Sequence, residues 1–381
     1  MITMRRLASL LLLVLLAPAP ALAQNSIYGV AGIGFPEEPI SVHARGLGGG
    51  NAAFDALSAL NPAAAADFGR LAASVTMSEG FRSYTAGDTS VSGLRETRFP
   101  FGLMGGKIGG TPLSFAVSYA TYAERTFDVR TTGTQVLRGD TLSISDKVAS
   151  NGAVTDVRGA IATRPLPFLK VGAAIHLLGG SSRLDVQRTF SDSAYLPYAE
   201  ASHLIFSGVG VSAGVVLRPV RAIELAGAAR VNGPLSSQLG NHDLGSVALP
   251  VALTGGLRLA IPRAGVSWSS TATWQSWSRA GPDLVPPTRA FDTWDLSSGI
   301  ELHDRSVGGG GLPLRVGVRY RQLPFSNLTT QPTELALAAG SGLVFAQRRA
   351  ELDFSLEHVQ RTGGGADERG WQIAVGIVVL P

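Results

Sequence analysis

The sequence contains no cysteine among its 381 residues, and only 16% of them are charged. The absence of cysteine excludes a disulfide framework and a thiolate metal site. The charged fraction lies well below the roughly 25% that is usual in soluble domains. Beyond residue 23 the sequence also lacks any apolar run of about 18 residues, which excludes membrane-spanning helices. An apolar composition without such helices fits a β-barrel, whose strands distribute their apolar residues by alternation.

The N-terminus has the organisation of a secretory signal peptide. Arg5 and Arg6 precede an apolar run at residues 7–16, and Ala21-Leu22-Ala23 supplies small residues for cleavage. The run is too short for a membrane anchor, so we predict a signal peptide at residues 1–23 and an exported mature chain. Without these two arginines the 32 basic residues fall to 30, against 28 acidic residues. This balance and the export signal argue against a nucleic-acid partner.

Several segments of the C-terminal half alternate between apolar and polar residues, with an interruption at Ser270 in the first of them. They lie at 266–275, 294–303, 314–321 and 351–357. Successive side chains of a strand face opposite sides, so each segment has one apolar and one polar face. A soluble β-sandwich would bury the apolar face, whereas a membrane barrel turns it to lipid and keeps the polar face in its lumen.

Short turns alternate along the chain with longer polar connections. The short turns are Gly110-Thr111-Pro112, Pro165-Leu166-Pro167, Pro219-Val220-Arg221, Pro262-Arg263-Ala264 and Arg348-Arg349. The longer connections lie near 132–152, 179–200, 232–247, 279–290 and 322–333. Outer-membrane barrels have tight periplasmic turns and long extracellular loops. This rhythm, and tryptophans near the strand ends, favour a membrane barrel over a soluble all-β fold.

We therefore predict an all-β fold, a transmembrane antiparallel β-barrel with about fourteen strands at residues 69–381. The candidate strands are 71–84, 94–107, 113–131, 152–164, 169–190, 200–218, 222–231, 248–262, 265–279, 289–302, 313–322, 332–346, 349–361 and 369–380. Short turns follow every second strand in this scheme, which places both ends of the barrel on the periplasmic side.

Residues 24–68 do not fit the strand pattern, and we predict that they form a small N-terminal hatch or plug. A glycine run leads into a helix predicted at 51–60, which ends at Asn61 because a residue before proline avoids the helical backbone. Phe54, Leu57 and Leu60 would share one face of that helix, to pack it on the wall or contact a ligand. The candidate ligand and hatch residues are Gly46, Gly48, Gly49, Gly50, Phe54, Leu57, Leu60, Asn61 and Pro62.

Two sets of charged residues share strand faces near the C-terminus. Arg315, Arg319 and Arg321 lie on one face, and Glu351, Asp353 and Glu357 lie on a face two predicted strands later. If both faces point into the lumen, the buried charges require partners. We predict an ion network in the lumen, with a structural role favoured over a latch that regulates the plug.

Residues 44–63 read Ala-Arg-Gly-Leu-Gly-Gly-Gly-Asn-Ala-Ala-Phe-Asp-Ala-Leu-Ser-Ala-Leu-Asn-Pro-Ala. This stretch resembles the N-terminal signature of FadL-type long-chain fatty-acid transporters, in which a glycine-rich run, a small helix and an Asn-Pro-Ala element precede the barrel. Related barrels, including secretion-accessory proteins, look similar there. The resemblance implies a fourteen-stranded barrel, a hatch in its lumen and passage of hydrophobic molecules.

Evidence for catalysis in the sequence is weak. Gly210-Val-Ser-Ala-Gly214 matches the G-x-S-x-G spelling of a hydrolase elbow, but that motif needs a strained strand-to-helix turn, and here one strand pattern continues from 205 to 217. The six histidines show no metal-ligand spacing, and no Ser/His pair stands out. We predict no catalytic residue, no metal and no cofactor, although barrel-wall hydrolases leave an enzyme as an alternative.

The sequence thus predicts an outer-membrane channel for hydrophobic or amphipathic small molecules such as long-chain fatty acids. The expected partners are outer-membrane lipid, a hydrophobic small-molecule ligand and the barrel-assembly machinery, in the bacterial outer membrane. The alternative is a non-transporting barrel that serves as a docking or secretion-accessory protein.

Overall fold

The computed structural model describes residues 26–240, 242–261, 264–302 and 312–380. Fourteen antiparallel strands close into a barrel, because the last strand pairs with the first. They are β1 (Ala72–Ala86), β2 (Thr89–Lys107), β3 (Leu113–Glu124), β4 (Asp140–Leu166), β5 (Leu169–Phe190), β6 (Tyr198–Val220), β7 (Ile223–Asn232), β8 (Ala252–Ile261), β9 (Val266–Gln275), β10 (Thr293–Leu302), β11 (Leu314–Gln322), β12 (Thr333–Phe345), β13 (Ala350–Gly363) and β14 (Ala366–Val379). The predicted fourteen-stranded transmembrane barrel is confirmed, while the predicted signal peptide and His303 lie outside the described residues.

The barrel is apolar outside and polar inside. Ile175 and Val316 expose 61% and 55% of their surface, whereas their chain neighbours His176 and Arg315 expose 2% and 3%. A soluble protein would show the opposite arrangement, because it buries its apolar face. The exposed apolar band is the surface that a membrane barrel presents to lipid. No helix among the described residues is long and apolar enough to cross a membrane.

The predicted polar connection at 132–152 is wrong, because this region is a β-hairpin. Strand Phe127–Leu137 pairs with β4 from Leu137 opposite Asp140 to Phe127 opposite Ser150. Arg138 and Gly139 both have positive φ angles, 53° and 96°, as a tight hairpin turn requires. Threonines and other β-branched residues near the turn favour strand pairing over a loop, although the segment as a whole is polar.

The region between β7 and β8 also differs from the predicted loop. It contains a second hairpin, formed by Leu235–Leu239 and His242–Val247, and the first of these strands pairs with β6. β4, β5 and β6 have 27, 22 and 23 residues, although about 9–11 residues suffice to cross a bilayer. The sheet therefore continues past the barrel as an arm on the side opposite the short turns. Two further short strands, Arg289–Ala290 and Phe325–Ser326, pair with each other.

The N-terminal segment 26–68, called the hatch below for its position alone, lies against the inner wall of the barrel. It contains a 3₁₀-helix (Ile27–Val30), a short strand (Phe35–Pro36), one α-helix, α1 (Val42–Gly46), and a second 3₁₀-helix (Pro62–Asp67). Two more 3₁₀-helices, Trp277–Asp283 and Ala346–Arg348, lie between barrel strands.

The helix predicted at 51–60 is wrong, since this stretch is a series of turns. The Asp55 carboxylate accepts hydrogen bonds from the Ser41 and Ser58 hydroxyls and from the backbone N–H of Leu57. Such local side-chain bonds compete with helical hydrogen bonding. As a result Phe54, Leu57 and Leu60 share no helix face.

Glycines on the wall let the hatch backbone approach closely. A Cβ added at Gly317 on β11 would lie 2.1 Å from the carbonyl carbon of Leu47, and one at Gly340 on β12 would lie 2.7 Å from the Gly46 Cα. These separations are far below van der Waals contact, so any side chain there would force the segment 46–48 away from the wall. The absence of side chains at these positions is part of the fit between hatch and barrel.

We predict that Gly317→Ala weakens docking of the hatch by about 1–3 kcal/mol, because the added methyl overpacks the contact with Leu47. Arg45 is the one trypsin site in residues 26–68 and is 3% exposed, so cleavage after it reports undocking. The variant should be cleaved about tenfold faster or more. Gly255→Ala is the matched control, since a Cβ there meets no heavy atom of the described chain within 4 Å. Equal cleavage of the two variants would contradict the prediction.

Candidate functional site

The glycine run at 46–50 lies directly on the inner surface of β9 to β12. A Cβ at Gly48 would lie 2.8 Å from the Val318 nitrogen, and one at Gly50 would lie 2.6 Å from the Ser269 oxygen. Gly48 and Gly49 have positive φ angles of 63° and 94°, which residues with side chains rarely adopt. The glycines that the sequence suggested as candidate ligand and hatch residues therefore lie in close contact with the wall.

Asn61 and Pro62 fix the other end of the hatch to β5 and β6. The Asn61 side-chain amide donates to the Ala53 and Val215 carbonyls at 2.9 and 3.3 Å, and its oxygen accepts from the Ala63 N–H at 3.0 Å. Asn61 thus caps the 3₁₀-helix that begins with Pro62, a position that suits proline. The Asn-Pro-Ala element therefore joins the hatch to the wall and begins a 3₁₀-helix, instead of ending the predicted helix.

The three apolar residues predicted to act together lie in three different clusters. Phe54 is 3% exposed and packs with Ala53, Ala63 and Val216. The half-buried Leu57 packs in a cluster around Phe68, and the half-buried Leu60 packs against Ile40. The structure does not bring these three residues together, because the turns at 51–60 point them in different directions.

Arg315 is the centre of a buried ion cluster at the wall. Its Nε lies 2.9 Å from Glu301, and its Nη1 and Nη2 lie 2.5 and 3.9 Å from Asp353 and Glu351. Asp353 lies on β13, two strands from Arg315 on β11. The two side chains meet over Gly342 of the intervening strand β12, where a Cβ would lie 2.6 Å from the Asp353 carboxylate. The structure therefore brings three of the six predicted network residues into contact, together with Glu301, which the sequence analysis missed.

A second cluster surrounds Glu334, whose side chain is fully buried. Arg319, Arg321 and Arg361 approach its carboxylate at 3.0, 3.0 and 2.6 Å. Glu334 stands on β12, between the two strands whose charges the sequence paired, and Arg361 stands on β13. Glu334 was missed because it is the single charge of its strand. Arg361 was missed although it lies on the same strand face as Glu351, Asp353 and Glu357, because it is basic and lies near the end of the strand.

The second cluster also contacts the hatch. Arg319 Nη1 lies 3.1 Å from Glu38, and Glu357 lies 3.6 Å from Arg319 and 3.8 Å from Arg45. Burial alone would raise the pKa of Glu38, but the Arg319 guanidinium and neighbouring groups lower it to about 2. The ion network therefore connects the wall to two hatch residues.

His43 connects the hatch to the first cluster. Its Nε2 lies 3.3 Å from the Glu301 carboxylate. Burial and the nearby Arg315 lower the pKa of His43, but the contact with Glu301 and the charge of Asp55 outweigh them, so its pKa is raised above the usual value. The protonated imidazole is thus the form that the docked hatch favours.

Three polar residues on neighbouring strands form an acid–base–hydroxyl arrangement in the lumen. His176 on β5 lies with Nε2 2.9 Å from the Ser212 hydroxyl on β6 and with Nδ1 2.9 Å from the Asp156 carboxylate on β4. All three are buried, at 2%, 8% and 4% exposure. No Ser/His pair is recognisable in the sequence, because the residues are 20 and 36 positions apart and meet only through strand register.

These three residues line a cavity of about 70 Å³ between hatch and wall. Its lining includes Glu37, Ala59 and Leu60 from the hatch and Tyr122 and Arg230 from the barrel. A cavity of this size holds several water molecules or a small organic group, but not an extended acyl chain.

Comparison with known proteins identifies the fold. No family profile and no curated protein sequence matches the chain. A solved FadL homologue of Pseudomonas aeruginosa superimposes with a TM-score of 0.61 at 14% identity, over 91% of this chain and 99% of that one. The Ralstonia pickettii toluene transporter TbuX gives 0.60 at 14% identity, over 93% and 100% of the two chains. The CymD monoaromatic hydrocarbon channel gives 0.58 at 13% identity, over 90% and 97%. The chain therefore has the fold of a FadL-like outer-membrane barrel.

We predict that Glu334→Gln destabilises the barrel by about 3–5 kcal/mol, because it removes the carboxylate shared by three buried arginines. The measurement is urea-induced unfolding in detergent micelles, followed by tryptophan fluorescence. Asp185→Asn is the control: its partner Arg183 is 55% exposed, so its effect should stay within about 1 kcal/mol. Equal unfolding midpoints for the two variants would refute a stabilising role for the Glu334 cluster.

The raised pKa of His43 predicts that hatch docking weakens as pH rises. The contact with Glu301 is fully present below the usual histidine pKa of about 6.5 and is lost as pH rises through the raised value. Trypsin cleavage after Arg45, corrected for trypsin's own pH dependence, should therefore increase toward alkaline pH. In His43→Gln this increase should be absent. A parallel increase in both proteins would assign the pH dependence to other groups.

Proposed function

We propose that this chain is a channel of the bacterial outer membrane for hydrophobic or amphipathic small molecules, with long-chain fatty acids as the first class to test. The observation that carries the proposal is a lipid-exposed barrel with a polar lumen that a docked N-terminal segment occupies. The neighbours in fold include proteins named as a toluene transporter and a monoaromatic hydrocarbon channel. In this proposal residues 1–23 direct export, residues 24–68 form the hatch and residues 69–381 form the barrel.

Passage through this barrel requires movement of the hatch. The cavity beside it is about 70 Å³, too small for a long acyl chain. The contacts at Gly46, Gly48, Gly49 and Gly50 must therefore loosen before a large ligand passes. Their backbone freedom makes this run the natural place for the rearrangement. Phe54, Leu57 and Leu60 then serve to pack the docked hatch, and the Arg315 and Glu334 clusters hold it closed.

The exposed apolar wall fits outer-membrane lipid as the surrounding partner. Insertion of such a barrel calls for the barrel-assembly machinery. A second candidate function, a docking or secretion-accessory barrel, is favoured by the long arm of β4, β5 and β6, which projects well past the membrane. This function needs no movement of the hatch.

A disulfide between hatch and wall separates the two functions. A Cβ at Gly376 on β14 would lie 3.0 Å from the Val42 Cβ, so the two positions need to separate by about 0.5–0.8 Å to reach usual disulfide geometry. Since the chain has no cysteine, Val42→Cys with Gly376→Cys forms one defined bond between α1 and the wall. We predict that oxidised cells lose gene-dependent uptake of a labelled long-chain fatty acid, and that a reductant restores it.

The single variants Val42→Cys and Gly376→Cys are the controls and should transport in both redox states. Uptake of labelled toluene, measured in the same cells, tests the ligand class. Transport of toluene but not of the fatty acid would change the proposed ligand class from fatty acids to small hydrocarbons. Uptake of neither compound would refute the channel proposal in favour of a docking role, and uptake that the disulfide does not change would refute the need for hatch movement.

A further inference from the structure

Ser212, His176 and Asp156 stand on three consecutive strands and point to the same side of the wall. His176 lies opposite Gly210, and Ser212 lies opposite Ala174 in the register of β5 and β6. The His176 imidazole lies 2.9 Å from the Asp156 carboxylate on one side and 2.9 Å from the Ser212 hydroxyl on the other, so the three groups form one hydrogen-bonded chain. This order is the one that nucleophilic serine chemistry uses, and it is recognised by geometry rather than by fold.

Two guanidinium groups accompany the arrangement. Arg230 on β7 is the cross-strand partner of Ser212, and Arg158 on β4 is the cross-strand partner of His176. Arg230 Nη1 lies 2.7 Å from Asp156. Within the described residues, Arg230 Nη2 and the Nε and Nη2 of Arg158 have no hydrogen-bond partner. Buried N–H groups without partners are costly, and they are suited to a negative charge that develops beside Ser212.

The two glycines of Gly210-Val-Ser-Ala-Gly214 leave space beside Ser212, although the segment forms no strand-to-helix elbow. A Cβ at Gly210 would lie 2.4 Å from the Asn232 side-chain oxygen, and one at Gly214 would lie 2.0 Å from the Asn61 oxygen. These glycines let polar side chains of the wall and hatch approach Ser212 from both sides. The hydroxyl therefore faces the lined cavity although it lies in the middle of a strand.

We propose that Ser212 is the nucleophile of a hydrolytic site for short-chain carboxylic esters in the lumen. His176 Nε2 takes the hydroxyl proton while the Ser212 Oγ bonds to the ester carbonyl carbon, and Arg230 donates to the resulting oxyanion. The carbonyl then reforms, the bond to the alcohol oxygen breaks, and His176 returns the proton to the leaving alcohol. Asp156 is a positioning residue that holds the imidazole.

Water completes the cycle. His176 takes a proton from a water molecule whose oxygen bonds to the acyl carbon, the bond to Ser212 breaks, and Oγ regains the proton. The net reaction converts one ester and one water into an acid and an alcohol. The cavity of about 70 Å³ limits the acyl group to a few carbons.

Diisopropyl fluorophosphate is the first probe, because it bonds to an activated serine and its site is mapped by peptide mass spectrometry. The full-length barrel in detergent should be modified at Ser212, and Ser212→Ala should abolish the modification. His176→Gln should slow it about 10²-fold or more, the usual contribution of a general base. Ser118→Ala, at a buried serine on β3, controls for changes in lumen packing.

The pH profile distinguishes chemistry from structure. The groups facing His176 are Asp156, Arg158 and Arg230 from the wall, and Glu37 and Tyr122 line the same cavity. The labelling rate should increase as the imidazole loses its proton and should be independent of pH in His176→Gln. Asp156→Asn should lower the rate, and Asp156→Glu should restore part of it.

Hydrolysis of p-nitrophenyl butyrate by the wild type, and its loss in Ser212→Ala, would support the proposal. No modification of Ser212, or equal ester hydrolysis by both proteins, would overturn it. Gene-dependent ligand uptake measured in Ser212→Ala cells is independent of this outcome, so failure of the hydrolytic site and failure of the channel are distinguishable.

Discussion

Closure of the barrel determines which charges need partners. Every second side chain of each strand points into a lumen that the hatch fills, and an ionised group there loses its hydration. Arg315 and Arg319 are therefore stable only with carboxylates at contact distance, which the neighbouring strands and the hatch provide. Because Glu38 and Arg45 come from the hatch, docking of this segment and pairing of the wall charges depend on each other.

Glycine placement provides a second condition for docking. A segment that lies flat on a sheet can approach its backbone only where the sheet has no side chains. Gly299 and Gly317 provide this space beneath Leu47, and Gly340 provides it beneath Gly46. The ion clusters lie on both sides of this backbone contact. Shape thus fixes the position of the hatch, and charge stabilises it there.

The strands could be predicted from the sequence because alternation and turn chemistry are local. The predicted bounds of β5, residues 169–190, coincide with the observed ones. The error at 51–60 is different, since there the Asp55 hydrogen bonds outweigh a favourable helical composition. The hairpin at Arg138 was missed because its strands are polar and lie outside the apolar band.

Partners in the lumen could not be predicted because they depend on register. Whether Arg315 meets Asp353 depends on the space at Gly342 on the strand between them. His176 meets Ser212 and Asp156 only because the register of β4, β5 and β6 places each of them two residues from the position directly opposite His176. A shift of one position would turn one of these side chains to the lipid face. Alternation in the sequence predicts on which face of the sheet a residue lies, but not its position along the barrel axis.

The cavity beside Ser212 joins the two proposed activities in one place. Its wall is formed partly by Glu37, Ala59 and Leu60 of the hatch, so movement of the hatch must change its size. A docked hatch leaves room for a small acyl group, whereas a displaced hatch opens the same surface to a larger ligand. The two processes therefore exclude each other at any instant, because the segment that must leave for passage also encloses the space in which Ser212 and His176 would act.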